Sequence, residues 1–99
     1  MFGNNMMEKL ADMKRLAEES KERLEQVVLE GDAGSGLVVI SINGNRIIKS
    51  IKINTDIKMM DNEELEDLLC VAFQRTMDKV NDLNEQEVMS STKDLFPGM

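Results

Sequence analysis

The segment "GDAGSGLVVISING", residues 31–44, sets four of the chain's six glycines around its most β-prone run, Leu37 to Ile42, and ends in an Asn-Gly pair. Glycine admits positive φ without steric cost, and Asn-Gly beside an apolar alternation is a strong local hairpin signal. The run therefore reads as a strand that reverses at both ends. Val38, Ile40 and Ile42 alternate with Val39, Ser41 and Asn43, giving one fully apolar face and one mixed face. Around it the spacing predicts a first strand near Gln26 to Glu30, a turn at Gly31 to Gly36, a turn at Asn43 to Asn45 and a third strand from Arg46 to Asn54. In the third strand Ile47, Ile51 and Ile53 oppose Ser50, Lys52 and Asn54. The centre of the chain is a three-stranded antiparallel meander covered on one side.

Glycines at this spacing also occur in phosphate-cradling loops. A loop of that kind needs Lys-Ser or Lys-Thr after its last glycine, at the mouth of a helix. Here Gly36 runs into Leu37-Val38 and a strand, and the order G-x-x-G-x-G is not the dinucleotide fingerprint. The glycines read as turns.

Both flanks of the meander are helical. Met6, Leu10, Met13, Ala17, Ser20, Leu24 and Val27 recur at steps of four and three, which predicts a first helix over residues 5–25. Lys9, Lys14, Lys21 and Arg23 flank that stripe, and the acids face away from it. Asp61 to Glu64 forms an Asp-x-x-Glu capping box. It opens a second helix, residues 62–89, with Leu65, Leu68, Leu69, Ala72, Phe73, Thr76, Val80 and Leu83 on one wide face. The Ser/Thr-rich tail, residues 90–99, reads as loose. At 1.5 Å per residue the helices are about 30 and about 40 Å long, whereas strands of six to eight residues extend only about 20 to 27 Å. An apolar stripe that overhangs its sheet needs cover, and a second copy of the chain about a two-fold axis supplies it most simply.

A single domain of 99 residues with three Phe and no Trp or Tyr has a small aliphatic core. Its nine methionines read as gap-fillers of that core. Lacking histidine and carrying one cysteine, Cys70, the chain offers no Ser-His or Cys-His nucleophile and no structural zinc set. The expectation is no enzyme, no cofactor and no small-molecule substrate. Cys70 reads as a quiet, partly buried thiol in a reducing cytoplasm. The longest apolar run, Leu37 to Ile40, is too short to span a membrane.

Net charge is −7, but it is unevenly spread: Arg46 to Thr55 holds Arg46, Lys49 and Lys52 without an acid, and from Met59 onward ten acids face three bases. Duplex DNA is held mainly by cations that neutralise phosphates. Lys9, Lys14, Arg15, Lys21 and Arg23 on the first helix are the candidate contacts, with Arg75 and Lys79 on the second helix as helpers. Arg46, Lys49 and Lys52 form a second basic patch. The helix cations are also placed to pair with Asp12 and Glu19 one turn away, or with Glu66, Asp82 or Glu87 across the helices, and Arg46, Lys49 and Lys52 read equally well as solvated or edge-strand charges.

Three stretches, "GDAGSGLVVISING", "IKIN" and "LEDLLCVAFQRTMDKV", together with the opening "MFG", the lysine-bearing first helix and the closing "FPGM", resemble the YbaB/EbfC family of small bacterial nucleoid-associated proteins. The likeness runs through the whole chain in order. It implies an α+β fold, an α-β-β-β-α protomer that dimerises through its central β region with the helices as tweezer-like arms. It also implies non-enzymatic binding of double-stranded DNA, nucleoid organisation and effects on gene expression. The other reading that the charge pattern supports is a homodimeric module whose acidic helices dock a basic protein, with weak or no DNA binding.

Overall fold

The computed structural model describes residues 2–95, with side chains described over 5–90. Helix α1, Phe2–Gln26, leads into strands β1, Val28–Ala33, β2, Val38–Asn43, and β3, Ile48–Ile53, and after a 3₁₀ turn at Ile57–Met59 the chain ends in α2, Asn62–Leu95. The strands form one antiparallel sheet in the order β1-β2-β3. The α-β-β-β-α meander expected from the alternation is the observed fold.

Its core is the contact between one sheet face and one stripe of α2. Val38, Ile40 and Ile42 of β2 are buried, as are Ala72, Thr76 and Val80, spaced by four along α2. The four-residue step keeps the small side chains of that stripe facing the sheet and lets the helix approach closely. Gly31 sits at the closest point: a Cβ there would lie 2.4 Å from Thr76 Oγ1 and 2.6 Å from Thr76 N. Thr76 is buried with its hydrogen bond made: its single O–H donates to the carbonyl of Ala72 at 2.7 Å, with the Ile40 carbonyl a second acceptor within reach at 3.2 Å.

Gly31 is thus a strand residue, and β1 continues through Asp32 and Ala33, where the turn was expected to begin. The reversal itself is tighter, with positive φ at Gly34, Ser35 and Gly36, and Asp32 Oδ2 accepts from Gly36 N at 2.9 Å.

At the other hairpin the left-handed residue is Arg46, φ 65°, and not Gly44. Asn43 builds this turn, its Oδ1 accepting from Asn45 N at 2.9 Å and Ile47 N at 3.1 Å. Gly44 is glycine because a Cβ would lie 2.5 Å from Leu24 O. Its N–H donates to that carbonyl at 2.9 Å, and Asn84 Nδ2 donates to Gly44 O at 2.7 Å. The root of α1, the second turn and α2 are tied together there.

Five further departures follow from tertiary context. A bulge pairs Ile42 with Ile48 directly after Ser41 with Ser50, leaving Lys49 as the extra residue and starting β3 two residues later than Arg46. Helix α2 lies over β1 and β2 and leaves β3 largely uncovered. Ile51 and Ile53 share the core face with Ile40 and Val38, yet both are exposed, as are Ile47 and Ile48. Cys70 is exposed as well, since it projects from α2 on the side away from the buried stripe. The methionines are mostly outside: Met6, Met7, Met13, Met59 and Met89 are exposed, while Met77 packs against the core. Finally, α1 begins at Phe2 and α2 runs past Met89 to Leu95, so part of the segment read as tail is helical; residues 96–99 lie outside the described residues.

The chain is elongated. Its extents are 70 × 22 × 19 Å and its radius of gyration is 19.3 Å, against about 13 Å for a compact chain of this length. The length comes from the helices. Leu24 is buried at the root of α1, whereas Met6, Leu10 and Met13 of the same stripe are 65%, 62% and 50% exposed.

Candidate nucleic-acid interface

The cations divide into three groups by what their side chains touch. The first group is free. Lys9, Lys14 and Lys21 are exposed on α1 and make no ion pair or side-chain hydrogen bond among the described residues. Helical phase places them on the two flanks of the exposed Met6, Leu10, Met13 stripe. Over the twelve residues from Lys9 to Lys21 they span about 18 Å of the helix axis. Lys49 and Lys52 on β3 and Lys58 in the 3₁₀ turn are free in the same sense. Lys58 follows the end of β3 by five residues and is a further free lysine beyond the basic run expected from Arg46 to Thr55. The signal was there in the next lysine, beyond the single acid Asp56.

A second group is paired. Arg15 contacts Asp12 at 3.6 Å and Glu19 at 3.2 Å, one turn away on either side. Arg23 Nε donates to Glu87 at 3.0 Å, crossing from α1 to α2 near the root of the arm. Arg46 reaches Asn81 Oδ1 through Nε at 3.2 Å and Nη2 at 3.0 Å.

The Arg23 hydrogen bonds hold the Glu87 carboxyl below its usual range, with a further contribution from Ser20 and against the opposing effect of burial. A depressed carboxylate contributes stability above its unfolded value and loses it as pH falls through the folded value. The contribution is small because Arg23 is half exposed to solvent. The expected result is that wild type melts above Glu87→Gln at neutral pH, and that the gap narrows as pH drops below 4.5; a gap independent of pH contradicts this.

The third group is used on the backbone. Arg75 Nη1 donates to Asp32 O at 2.9 Å and Lys79 Nζ to Glu30 O at 2.6 Å. The fold brings both of these expected helper cations to the outer edge of β1, where each donates to a strand carbonyl. The candidate residues thus do not converge on one patch. They lie along the α1 arm, on the β3 margin and on the β1 margin.

A long α1 arm that carries unpaired lysines among six acids thus projects from a small meander. The chain belongs to the YbaB/EbfC DNA-binding family, which it matches over residues 2–95. Among its relatives is a nucleoid-associated protein of Flavobacterium johnsoniae, 36% identical over 83 residues, covering 84% of this chain and 77% of that protein. A nucleoid-associated protein of Koribacter versatilis is 34% identical, covering 100% of this chain and 95% of the relative. A third, from Legionella pneumophila, is 29% identical and covers 92% and 81%. The fold recurs in the crystal structure of an uncharacterized Helicobacter pylori protein, with a TM-score of 0.75 at 21% identity, covering 82% of this chain and 86% of that one. No described helix is long and apolar enough to cross a membrane.

Proposed function

We propose that two copies of this chain pair across β3 and that the pair binds double-stranded DNA in the nucleoid through phosphate contacts, organising DNA and affecting gene expression without catalysing a reaction. Family membership and the names of the relatives support the DNA. The observation that carries the contact mode is the free state of Lys9, Lys14 and Lys21 on an arm that leaves the body of the protein. No groove-entering reading element accompanies them, so the expected sequence preference is weak.

Pairing across β3 is supported by backbone direction. Asn54 N donates to Leu37 O at 2.7 Å, and Val39 and Ser41 pair with Lys52 and Ser50. In an antiparallel ladder bonded pairs alternate, so the N–H and C=O of Ile51 and Ile53 point outward. An open edge beside an uncovered isoleucine face is a surface that a soluble protein covers.

Six lysines on the pair, if each neutralises one phosphate, give a log–log salt slope of about −5, or about a thousandfold weaker binding between about 50 and about 200 mM salt. The test is fluorescence anisotropy on a random-sequence duplex at both salts, with wild type and with Lys9, Lys14 and Lys21 all changed to Glu. Steep salt dependence in wild type, flattened in the triple variant, is the expected outcome. An intact dimer that binds no duplex at low salt overturns the reading and favours a basic protein as partner for the exposed Glu63, Glu64, Glu66 and Asp67 of α2.

A further inference from the structure

The two edges of the sheet are treated differently. Gly44 N donates to Val27 O at 3.0 Å. With Val28 opposite Asn43, Glu30 opposite Ser41 and Asp32 opposite Val39, the alternation of the ladder turns the backbone groups of Val28, Glu30 and Asp32 away from β2. Two of those outward carbonyls, Glu30 O and Asp32 O, hold Lys79 Nζ and Arg75 Nη1. The two cations are four residues apart on α2, one turn, and reach down beside the strand like rungs. On β3 no side chain among the described residues bonds the backbone of Ile51 or Ile53.

We propose that Arg75 and Lys79 lock the β1 edge against strand addition, so that this sheet can accept a second copy on the β3 side only. An incoming strand hydrogen-bonds through the same carbonyls, and to reach them it must displace two charge-assisted bonds and set a cation against its own backbone. The consequence is closure. A sheet with one open edge pairs about a two-fold axis and stops, whereas a sheet with two open edges goes on adding copies. The two side chains thereby limit the size of the assembly, and their charges are committed within the protomer.

The test is sedimentation velocity of Arg75→Ala with Lys79→Ala in the full chain, beside wild type, with far-UV circular dichroism as the folding control. Alanine removes both donors without adding apolar surface or lowering helix propensity. The expected result is a shift from dimers to long, concentration-dependent polymers. The lock rests on the β3 pairing proposed above only for the length of what forms: if wild type is a monomer, the variant forms β1-paired dimers and the lock stands while that pairing falls. A folded variant that keeps the wild-type sedimentation coefficient at all concentrations overturns the lock. Arg75→Lys with Lys79→Arg keeps a charged donor at each position and is expected to behave as wild type. Its polymerising as the alanine variant does would also overturn the lock. Where the alanine double variant loses its helical signal, Arg75→Ala and Lys79→Ala singly are read by the same criteria.

Discussion

Gly31→Ala will unfold far more readily than the wild-type protein. The new Cβ meets Thr76 Oγ1 at 2.4 Å, Thr76 N at 2.6 Å and Ala72 O at 3.0 Å. Two of these are backbone atoms of α2, which cannot rotate aside as a long side chain would. Relief requires moving the helix off β1 and opening the Ala72, Thr76, Val80 seam. Overpacking costs about 1–3 kcal/mol where side chains can yield, and the backbone contact puts this case at or above about 3 kcal/mol. Urea denaturation followed by circular dichroism measures it. Thr76→Ala in the same chain removes only the hydroxyl contact, so rescue is partial; full rescue, or a loss below about 1 kcal/mol, contradicts the close-approach account.

Ile51→Asp has its largest effect on assembly. Ile51 lies in the middle of β3 on the uncovered face, 51% exposed in the protomer, so a carboxylate there is hydrated in a single copy and costs little. In a pair joined across β3 two such carboxylates are brought from water to a shared apolar surface, at several kcal/mol per uncompensated charge. The variant is expected to sediment as a folded single subunit at micromolar concentration. With one arm in place of two, its DNA salt slope falls to about −3 and its affinity drops by more than tenfold. A variant that stays paired places the interface elsewhere.

Legibility followed the range of the forces involved. The alternation of Val38, Ile40 and Ile42 and the four-residue step of Ala72, Thr76 and Val80 are periodic and local, and both faces were readable before the fold was known. Gly31 reads as a turn residue, and Gly44, which does lie in the turn, reads as there for the turn alone, because a sequence shows only that a Cβ is missing. The reason it is missing, a helix or carbonyl pressed against the backbone, comes from residues far along the chain. The isoleucines of β3 were read as core for a related reason: alternation tells which face a residue joins, not whether anything lies over it. The cations were identifiable by type. Their partners were legible only at helical spacing, as for Arg15 with Asp12 and Glu19. Arg23 with Glu87 was one of several equal options, and the reach of Arg75 and Lys79 to a strand some forty residues away was not foreseeable without the topology.

The anchoring of α1 through its last two turns makes that helix a boom stepped at Leu24. From Leu24 to Met6 the lever is about 27 Å, so a tilt of about 10° at the root carries the tip sideways by about 5 Å. That distance approaches the spacing between successive phosphates along one strand. In the pair proposed above, two such booms would adjust their span to a duplex between them by small changes at the mast, a way of gripping that owes nothing to the order of the bases.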